Sequence, residues 1–401
     1  MTVEKAGDVR HTMPASAYLS PCQAASPPYF WVDSTDDFAT MAAALAHAPR
    51  MAIDTEADSL YHYVQKVCLL QISTDSTTYI VDPLAVTDLS LLQPMMADSA
   101  VEKVFHAAGS DIAGLRRDHA LSFSGVFDTH IAAQLVGLPA VGLSALLEQE
   151  FDIVHSKRRQ RDDWSQRPLN PEQLRYAAMD THHLLALRDA LEQRLQAKGR
   201  LTWAQEEFDI IAFSREEERV FDPQCFRRIK GSRDLAPLQQ AMLQALFVLR
   251  DRLARQMDVP PFRVMSDWVL VDLVRHPPRA TTELAGRRGV SPRLARNHGA
   301  LVLQVLKHAS HGNPVSPAPR PKGTRPPVEA RIRLENLKRW RDGKAAELKL
   351  PVGIVFPNSQ LEAMSLAAPA DRAALGAIPG MRRWRVREFG EEALRALRLS
   401  S

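Results

Sequence analysis

Four carboxylates and one phenol stand out in three separated segments. They are Asp54-Thr55-Glu56, the Asp111 that closes His106-Ala107-Ala108-Gly109-Ser110-Asp111, and the Tyr176 and Asp180 of Tyr176-Ala177-Ala178-Met179-Asp180. Drawn into one pocket, four carboxylates would repel each other strongly unless cations lay between them. Ligand sets made only of oxygen suit Mg²⁺ or Mn²⁺, and sites of that kind carry out phosphoryl transfer with two metals. The acids therefore suggest a nuclease. Each cluster alone has a plainer explanation. Asp-x-Glu pairs are common on exposed strands, an acid at a helix start stabilises the helix, and a Tyr four residues before an Asp can be a surface pair.

The elements around the clusters decide whether the acids can meet. Asp54 ends the short apolar run 51–54, and in a strand the side chains at i and i+2 point the same way, so Asp54 and Glu56 could share an ion. The runs 67–72 and 78–81 are β-rich and close together, as in a hairpin or meander, and 101–105 gives a further strand. Helical patterns cover 109–119, 129–136, 143–150 and 171–198, with Asn170 as cap and Pro171 at the first position of the last one. Tyr176 and Asp180, four apart on that helix, share a face. A phenol of pKa about 10 is a poor base at neutral pH, so Tyr176 is better suited to orienting a water. Before this helix lie Lys157, Arg158, Arg159, Arg161 and Arg167, which either hold substrate phosphates or form a solvated loop. The pattern is that of an α/β domain with a mixed sheet.

The 401-residue chain carries a net charge of +4 that hides an asymmetry. Residues 1–229 hold 21 Lys+Arg against 32 Asp+Glu, a net of −11, and residues 230–401 hold 30 against 15, a net of +15. An acidic catalytic part joined to modules that bind a polyanion would have this division. No run of 18 apolar residues and no signal pattern is present, and Cys22, Cys68 and Cys225 are too scattered for a disulfide framework or a zinc site. A cytoplasmic location without membrane contact is expected, with Cys68 packed in a core. The last third repeats itself at an offset of 91 residues: Leu249-Arg250-Asp251 matches Trp340-Arg341-Asp342, and Ala254, Pro260, Val264, Leu270, Pro278, Leu284 and Gly289 meet Ala345, Pro351, Val355, Leu361, Pro369, Leu375 and Gly380. This implies two compact helical modules. The expected division is a mobile tail 1–28, a catalytic domain 29–200, a bridging region 201–235, a first module 236–312, an extended Pro-rich linker 313–328 and a second module 329–401.

In this order the clusters resemble the tyrosine-containing branch of the DEDD exonuclease superfamily, and the whole chain resembles the ribonuclease D family. The stretches that carry the resemblance are Ile53-Asp54-Thr55-Glu56, Leu70-Gln71-Ile72, Val81-Asp82-Pro83, Lys103-Val104-Phe105-His106-Ala107 with Asp111, Phe127-Asp128-Thr129, Asp163-Trp164 with Arg167-Pro168-Leu169, and Tyr176-Ala177-Ala178 with Asp180. The repeats resemble HRDC domains. The resemblance spans about residues 30–398 and departs from the family pattern at Met179 and Thr181, where Ala and Val are usual. It implies an RNase H-like α/β nuclease domain followed by two all-α HRDC domains. It also implies 3′→5′ removal of nucleotides from tRNA precursors and other structured RNA 3′ ends, with two divalent ions, Mg²⁺ or Mn²⁺, and no obligatory protein partner. The metal ligands would be Asp54, Glu56, Asp111 and Asp180, and Tyr176 would orient the water. Thr55, Gln71, His106, Asp128, Lys157, Arg159 and Arg167 are the expected substrate contacts. A DNA exonuclease and a non-catalytic RNA-binding protein are the rival readings. No helicase motif accompanies the modules, and all four acids are intact.

Overall fold

The structure is a computed structural model that describes residues 27–215, 220–315 and 326–399. Most of the expected tail and residues 316–325 of the linker lie outside the described residues. Six strands form one mixed sheet: β1 (Tyr29–Val32), β2 (Arg50–Ala57), β3 (Val67–Ser73), β4 (Thr78–Val81), β5 (Glu102–Phe105) and β6 (Val126–Asp128), in the order β1-β4-β3-β2-β5-β6. Strands β2, β3 and β4 form an antiparallel meander, while β1 pairs with β4, and β5 with both β2 and β6, in parallel. The helices of this part are α1 (Thr35–Leu45), α2 (Gln93–Ala97), α3 (Gly109–His119), α4 (Thr129–Val136), α5 (Leu143–Phe151), α6 (Pro171–His182), α7 (Leu184–Ala197) and α8 (Leu201–Ile211).

Alternation along β2 divides the domain into two layers. Met51 and Ile53 enter the core with Phe38, Met41, Phe105 and Ile112, under α1 and α3. Ala52 faces the other way and joins Val104, Phe127 and residues of α4, α5, α7 and α8. Asp54 and Glu56 continue the Ala52 face. The strand runs three residues beyond the expected 51–54 because Thr55, Glu56 and Ala57 still pair with Leu70, Leu69 and Val67 of β3, with an irregularity between Glu56 and Ala57.

Two differences from the sequence reading bear on the site. The single helix expected over 171–198 is two, α6 and α7, separated at His183, whose φ of −103° and ψ of 0° leave the helical region. The break lets α6 pack on β2, β3 and β4 while α7 packs against α4 and α5. Residues 201–211, expected as a bridge, form α8, and its Trp203, Ala204 and Phe208 complete the core beneath β6 and α4.

The repeat is structural as well as sequential. The first helical module comprises α9 (Pro237–Met257), α10 (Pro261–Val264), α11 (Asp267–Arg275), α12 (Thr281–Ala285) and α13 (Pro292–Ser310). The second comprises α14 (Val328–Leu348), α15 (Val352–Val355), α16 (Asn358–Ala367), α17 (Arg372–Gly376) and α18 (Arg383–Arg398), and every helix starts 91 residues after its counterpart. Buried Arg250 donates to the Met265 carbonyl and the Asp267 carboxylate, and buried Arg341 donates to the Phe356 carbonyl and the Asn358 side chain. One guanidinium in each copy thus ties the first helix to the start of the third.

The second module shares a core with the nuclease domain. Trp384 stacks on Trp203 with ring centroids 4.6 Å apart and donates through Nε1 to Glu207. Glu206 accepts from the backbone N–H groups of Arg383 and Trp384, capping α18 from outside its own module. Gly137 has a φ of +86°, and a Cβ there would lie 2.5 Å from the Lys349 carbonyl, so both its backbone conformation and the close approach of the module require glycine. The first module docks differently. Tyr63 donates to Asp251, Arg255 donates to the Tyr63 hydroxyl, and His62 meets Asp258 at 2.7 Å. Its contact with the nuclease domain therefore falls on the segment between β2 and β3, just beyond the Asp54–Glu56 pair.

Candidate active site

Three elements bring the acids together. On β2, the extended backbone aims Asp54 and Glu56 to one side of the sheet. Helix α6 crosses that side. It starts at Asn170, which accepts from the N–H groups of Glu172 and Gln173, while the Gln173 side chain reaches back to the Asn170 N–H in a capping box with Pro171 at the first position. Helix α3 brings Asp111 in its first turn. That turn is held by Asp128, whose carboxylate accepts from Ala107 and Ala108 before α3 and from His130 and Ile131 at the start of α4.

One oxygen from each of Asp54, Glu56 and Asp180 lies within 4.8 Å of the others. Asp111 stands beside this triad and accepts a 2.5 Å hydrogen bond from the Thr55 hydroxyl. Glu56, Asp111 and Asp180 are buried and Asp54 partly so. Burial, followed by the charges of Asp180, Asp111 and the partner acid on β2, raises the pKa of Asp54 well above the carboxylate range, and Glu56 is raised by burial and by Asp180 and Asp111. Burial raises Asp111 to about 7 against the opposing bond from Thr55. Asp180 is raised by burial, opposed by a hydrogen bond from His155. Acids so placed are short of positive charge. Asp180 Oδ2 is also buried without a hydrogen-bond partner. A hard cation supplies what both observations lack, so the donor set fits a divalent ion with oxygen ligands.

Tyr176 shares the site. Burial and then the charges of Asp180, Glu56 and Asp54 push its pKa above the usual phenol value, so the hydroxyl keeps its proton. Buried Trp164 lies 6.0 Å from its ring, and His155 stacks on it at 5.2 Å. His155 was not singled out in the sequence. The basic run that begins at Lys157 drew attention instead, and no spacing marks a lone histidine in a loop.

The expected substrate contacts divide into two groups. Gln71, opposite Asp54 on β3, is fully buried; Asp128 is fully buried and taken up by four backbone N–H groups; Arg167 donates to both oxygens of Asp82 and to the carbonyls of Cys68, Trp164 and Gln166. Asp128 and Arg167 thus have partners within the fold, while both side-chain polar atoms of Gln71 are buried without one. The others stay at or near the surface. Thr55 touches Asp111; His106 is paired with the Thr129 hydroxyl and held neutral by burial, its pKa lowered to about 3; Lys157 is exposed; Arg159 pairs with Asp162 and Glu172. Cys68 is buried in the sheet and Cys225 is partly exposed, while Cys22 lies outside the described residues. No helix among the described residues is long and apolar enough to cross a membrane.

An acid triad on a central strand and a crossing helix, with a phenol beside it, in a mixed sheet followed by paired helical modules, fits a nuclease whose chemistry runs on divalent cations. Comparison with known proteins agrees. A 3′-5′ exonuclease family model matches residues 29–196, and an HRDC domain model matches 239–306 and 331–397. Ribonuclease D of Zymomonas mobilis is 34% identical over 281 residues, covering 68% of this chain and 71% of that protein. Ribonuclease D of Pseudomonas paraeruginosa is 28% identical over 93% of this chain and 98% of its own length. The chain therefore belongs to the ribonuclease D family and is a 3′→5′ exoribonuclease. The exosome complex exonuclease RRP6 of Saccharomyces cerevisiae is 32% identical over 294 residues, 70% of this chain, and the chain spans 40% of that protein's length. The crystal structure of Escherichia coli RNase D has the same fold, with a TM-score of 0.65 at 24% identity over 92% of this chain and 98% of that one.

Proposed function

We propose that this protein trims the 3′ ends of tRNA precursors and other structured RNAs, releasing 5′-nucleoside monophosphates with the help of two divalent cations, Mg²⁺ or Mn²⁺. The convergence of Asp54, Glu56 and Asp180 within 4.8 Å is the observation that carries this reading. These three residues would hold the ions, with Asp111 supporting them from beside Thr55. When bound, the cations would balance the carboxylates, acidify the attacking water and stabilise charge on the leaving 3′ oxygen.

The remaining work falls to the chain. Tyr176, kept protonated by burial and by the acids around it, orients the water through its hydroxyl rather than acting as a base. Exposed Lys157, with Arg159 and His106 nearby in sequence to the site elements, offers contacts to phosphate and sugar. The basic helical modules hold the RNA through its phosphates with little base reading. The chain divides for this task into 29–211 for chemistry, α8 included, then a bridge to 235, 236–312 and 329–401 for RNA, and 313–328 as linker.

A 3′-extended tRNA precursor, labelled at either end and incubated with Mg²⁺, Mn²⁺ or EDTA, tests the reading. Stepwise loss of the 3′ label as mononucleotide, arrest by EDTA and arrest by Asp54→Ala are expected. A rate unchanged by Asp54→Ala, or faster degradation of matched DNA than of RNA, would overturn it.

A further inference from the structure

We infer that His155 is a positioning residue that aims Asp180 and Tyr176 together, an inference that rests on the metal-site reading above. His155 lies in the segment between α5 and α6. Its Nε2 meets Asp180 Oδ1 at 2.7 Å, and the two side chains are 5% and 7% exposed. Its ring lies nearly parallel to that of Tyr176, with centroids 5.2 Å apart and an interplanar angle of 20°. A single imidazole thus touches both groups that α6 contributes to the site.

The two oxygens of Asp180 have different surroundings. Oδ1 is taken by His155, while Oδ2 is buried and unpartnered. An ionised carboxylate can only accept, so Nε2 must carry the hydrogen and donate it. That bond fixes the rotation of the carboxyl group and leaves Oδ2 as the oxygen free for a cation. Asp180 is also the member of the triad delivered by a helix, whereas Asp54 and Glu56 are set by the backbone of one strand. A ligand oxygen three bonds from the helix backbone, on a carboxyl group free to rotate, gains from a second anchor, and hydrogen bonds to ligating carboxylates serve this purpose in metal sites. The stacked ring face restrains the Tyr176 phenol at the same time, so the distance between the ligand and the water-orienting hydroxyl is set by one residue outside α6.

Three substitutions separate the contributions. His155→Gln keeps a donor of similar reach, His155→Phe keeps the ring face without a donor, and His155→Ala removes both. Mn²⁺ binding to the full-length protein without RNA, followed by the paramagnetic signal of free Mn²⁺, gives a readout independent of activity. Thermal melts confirm that each variant is folded, and the space-filling Gln and Phe forms carry the comparison if Ala is not. His155→Phe and His155→Ala are expected to weaken Mn²⁺ binding about 10- to 100-fold, with a fall in kcat and an unchanged KM for RNA, and His155→Gln is expected to recover most of the affinity. Wild-type Mn²⁺ affinity in folded His155→Phe, or equal losses in the Gln and Phe forms, would overturn the inference. Asp180→Asn serves as the control. If it too binds Mn²⁺ like wild type, the metal-site reading itself has failed; if it alone loses binding, only the role of His155 has.

Discussion

Removing one of the site's own acids should make the ion-free protein more stable while abolishing its activity. In Asp180→Asn the change is one of charge rather than shape, and the new Oδ1 can still accept from His155. The three acids hold oxygens within 4.8 Å of each other, and two full charges at that distance repel by about 3.5 kcal/mol at an effective dielectric of 20. Asp180 takes part in two such pairs, or about 7 kcal/mol in full ionisation. The folded protein has a lower-energy alternative, which is to protonate one acid. At pH 8 this costs about 5.6 kcal/mol, from 1.36 kcal/mol per unit above a solution pKa near 3.9, and that sets the ceiling on the penalty. A neutral acceptor gives His155 a weaker bond than a carboxylate does, by about 1–2 kcal/mol. The net gain expected for Asp180→Asn in EDTA at pH 8 is therefore about 4 kcal/mol at most, read as a melting temperature several degrees above wild type. The sign of the pH dependence follows. Asp54, Glu56 and Asp180 have folded-state pKa values above their unfolded ones, so the ion-free folded state binds more protons. Wild type should gain stability as pH falls from 8 toward 5, and the gap to Asp180→Asn should close by about 1.4 kcal/mol per unit. Saturating Mn²⁺ should stabilise wild type far more than the variant. A variant that melts at or below wild type in EDTA at pH 8 would show that the acids do not repel as their geometry requires.

Two further outcomes test other parts of the structure. Trp384→Ala removes a fully buried ring from the core shared by α8 and the second module and should destabilise the protein by about 3–5 kcal/mol in urea denaturation, with the nuclease domain and that module melting together; separate transitions, with the nuclease domain unaffected, would refute the shared core. His106 has a folded-state pKa of about 3 against an ordinary 6.5, so its contribution is complete above pH 6.5 and lost as pH falls below it. Relative to His106→Asn, wild type should lose about 2 kcal/mol between pH 7 and pH 5, and equal acid sensitivity of the two proteins in thermal melts would contradict a buried neutral imidazole.

The acids were legible because their chemistry is visible in their types and because β2 and α6 carry them at spacings of two and four. The paired modules were legible because a repeat needs no knowledge of tertiary contacts, and the helix starts keep the 91-residue offset throughout. What was hidden depends on contacts between distant segments. Nothing local to Asp180-Thr181-His182-His183 signals a helix end, since the segment has neither Gly nor Pro; the break answers to the different surfaces that α6 and α7 must cover. The internal partners of Arg167 and Asp128 were hidden for the same reason, since Asp82, Ala107 and Ala108 lie 20 or more residues away from them. His155 could not be found from spacing at all, because a loop places it.

The same distinction explains why two copies of one module serve the nuclease domain differently. The buried Arg250 and Arg341 hold equivalent positions, and their bonds repeat from copy to copy because each module must keep its own core. The docking residues do not repeat. Trp384 of the second copy corresponds to Arg293 in the first, so only the second copy can stack on Trp203 and merge its core with the sheet domain. The first copy is instead joined through Tyr63, His62 and Arg255, and the His62–Asp258 pair is open to water, with side chains 28% and 63% exposed. Contacts of that exposed, polar kind contribute little individually, while a shared apolar core opens only with the domain itself. The first module is thus joined through a contact of its own, in which Tyr63 packs against its core and bonds buried Asp251 beside the exposed His62–Asp258 pair. That contact falls on the segment between β2 and β3, a few residues beyond Asp54 and Glu56, whereas the second copy meets the domain at α8, on the far side of β6 in the chain.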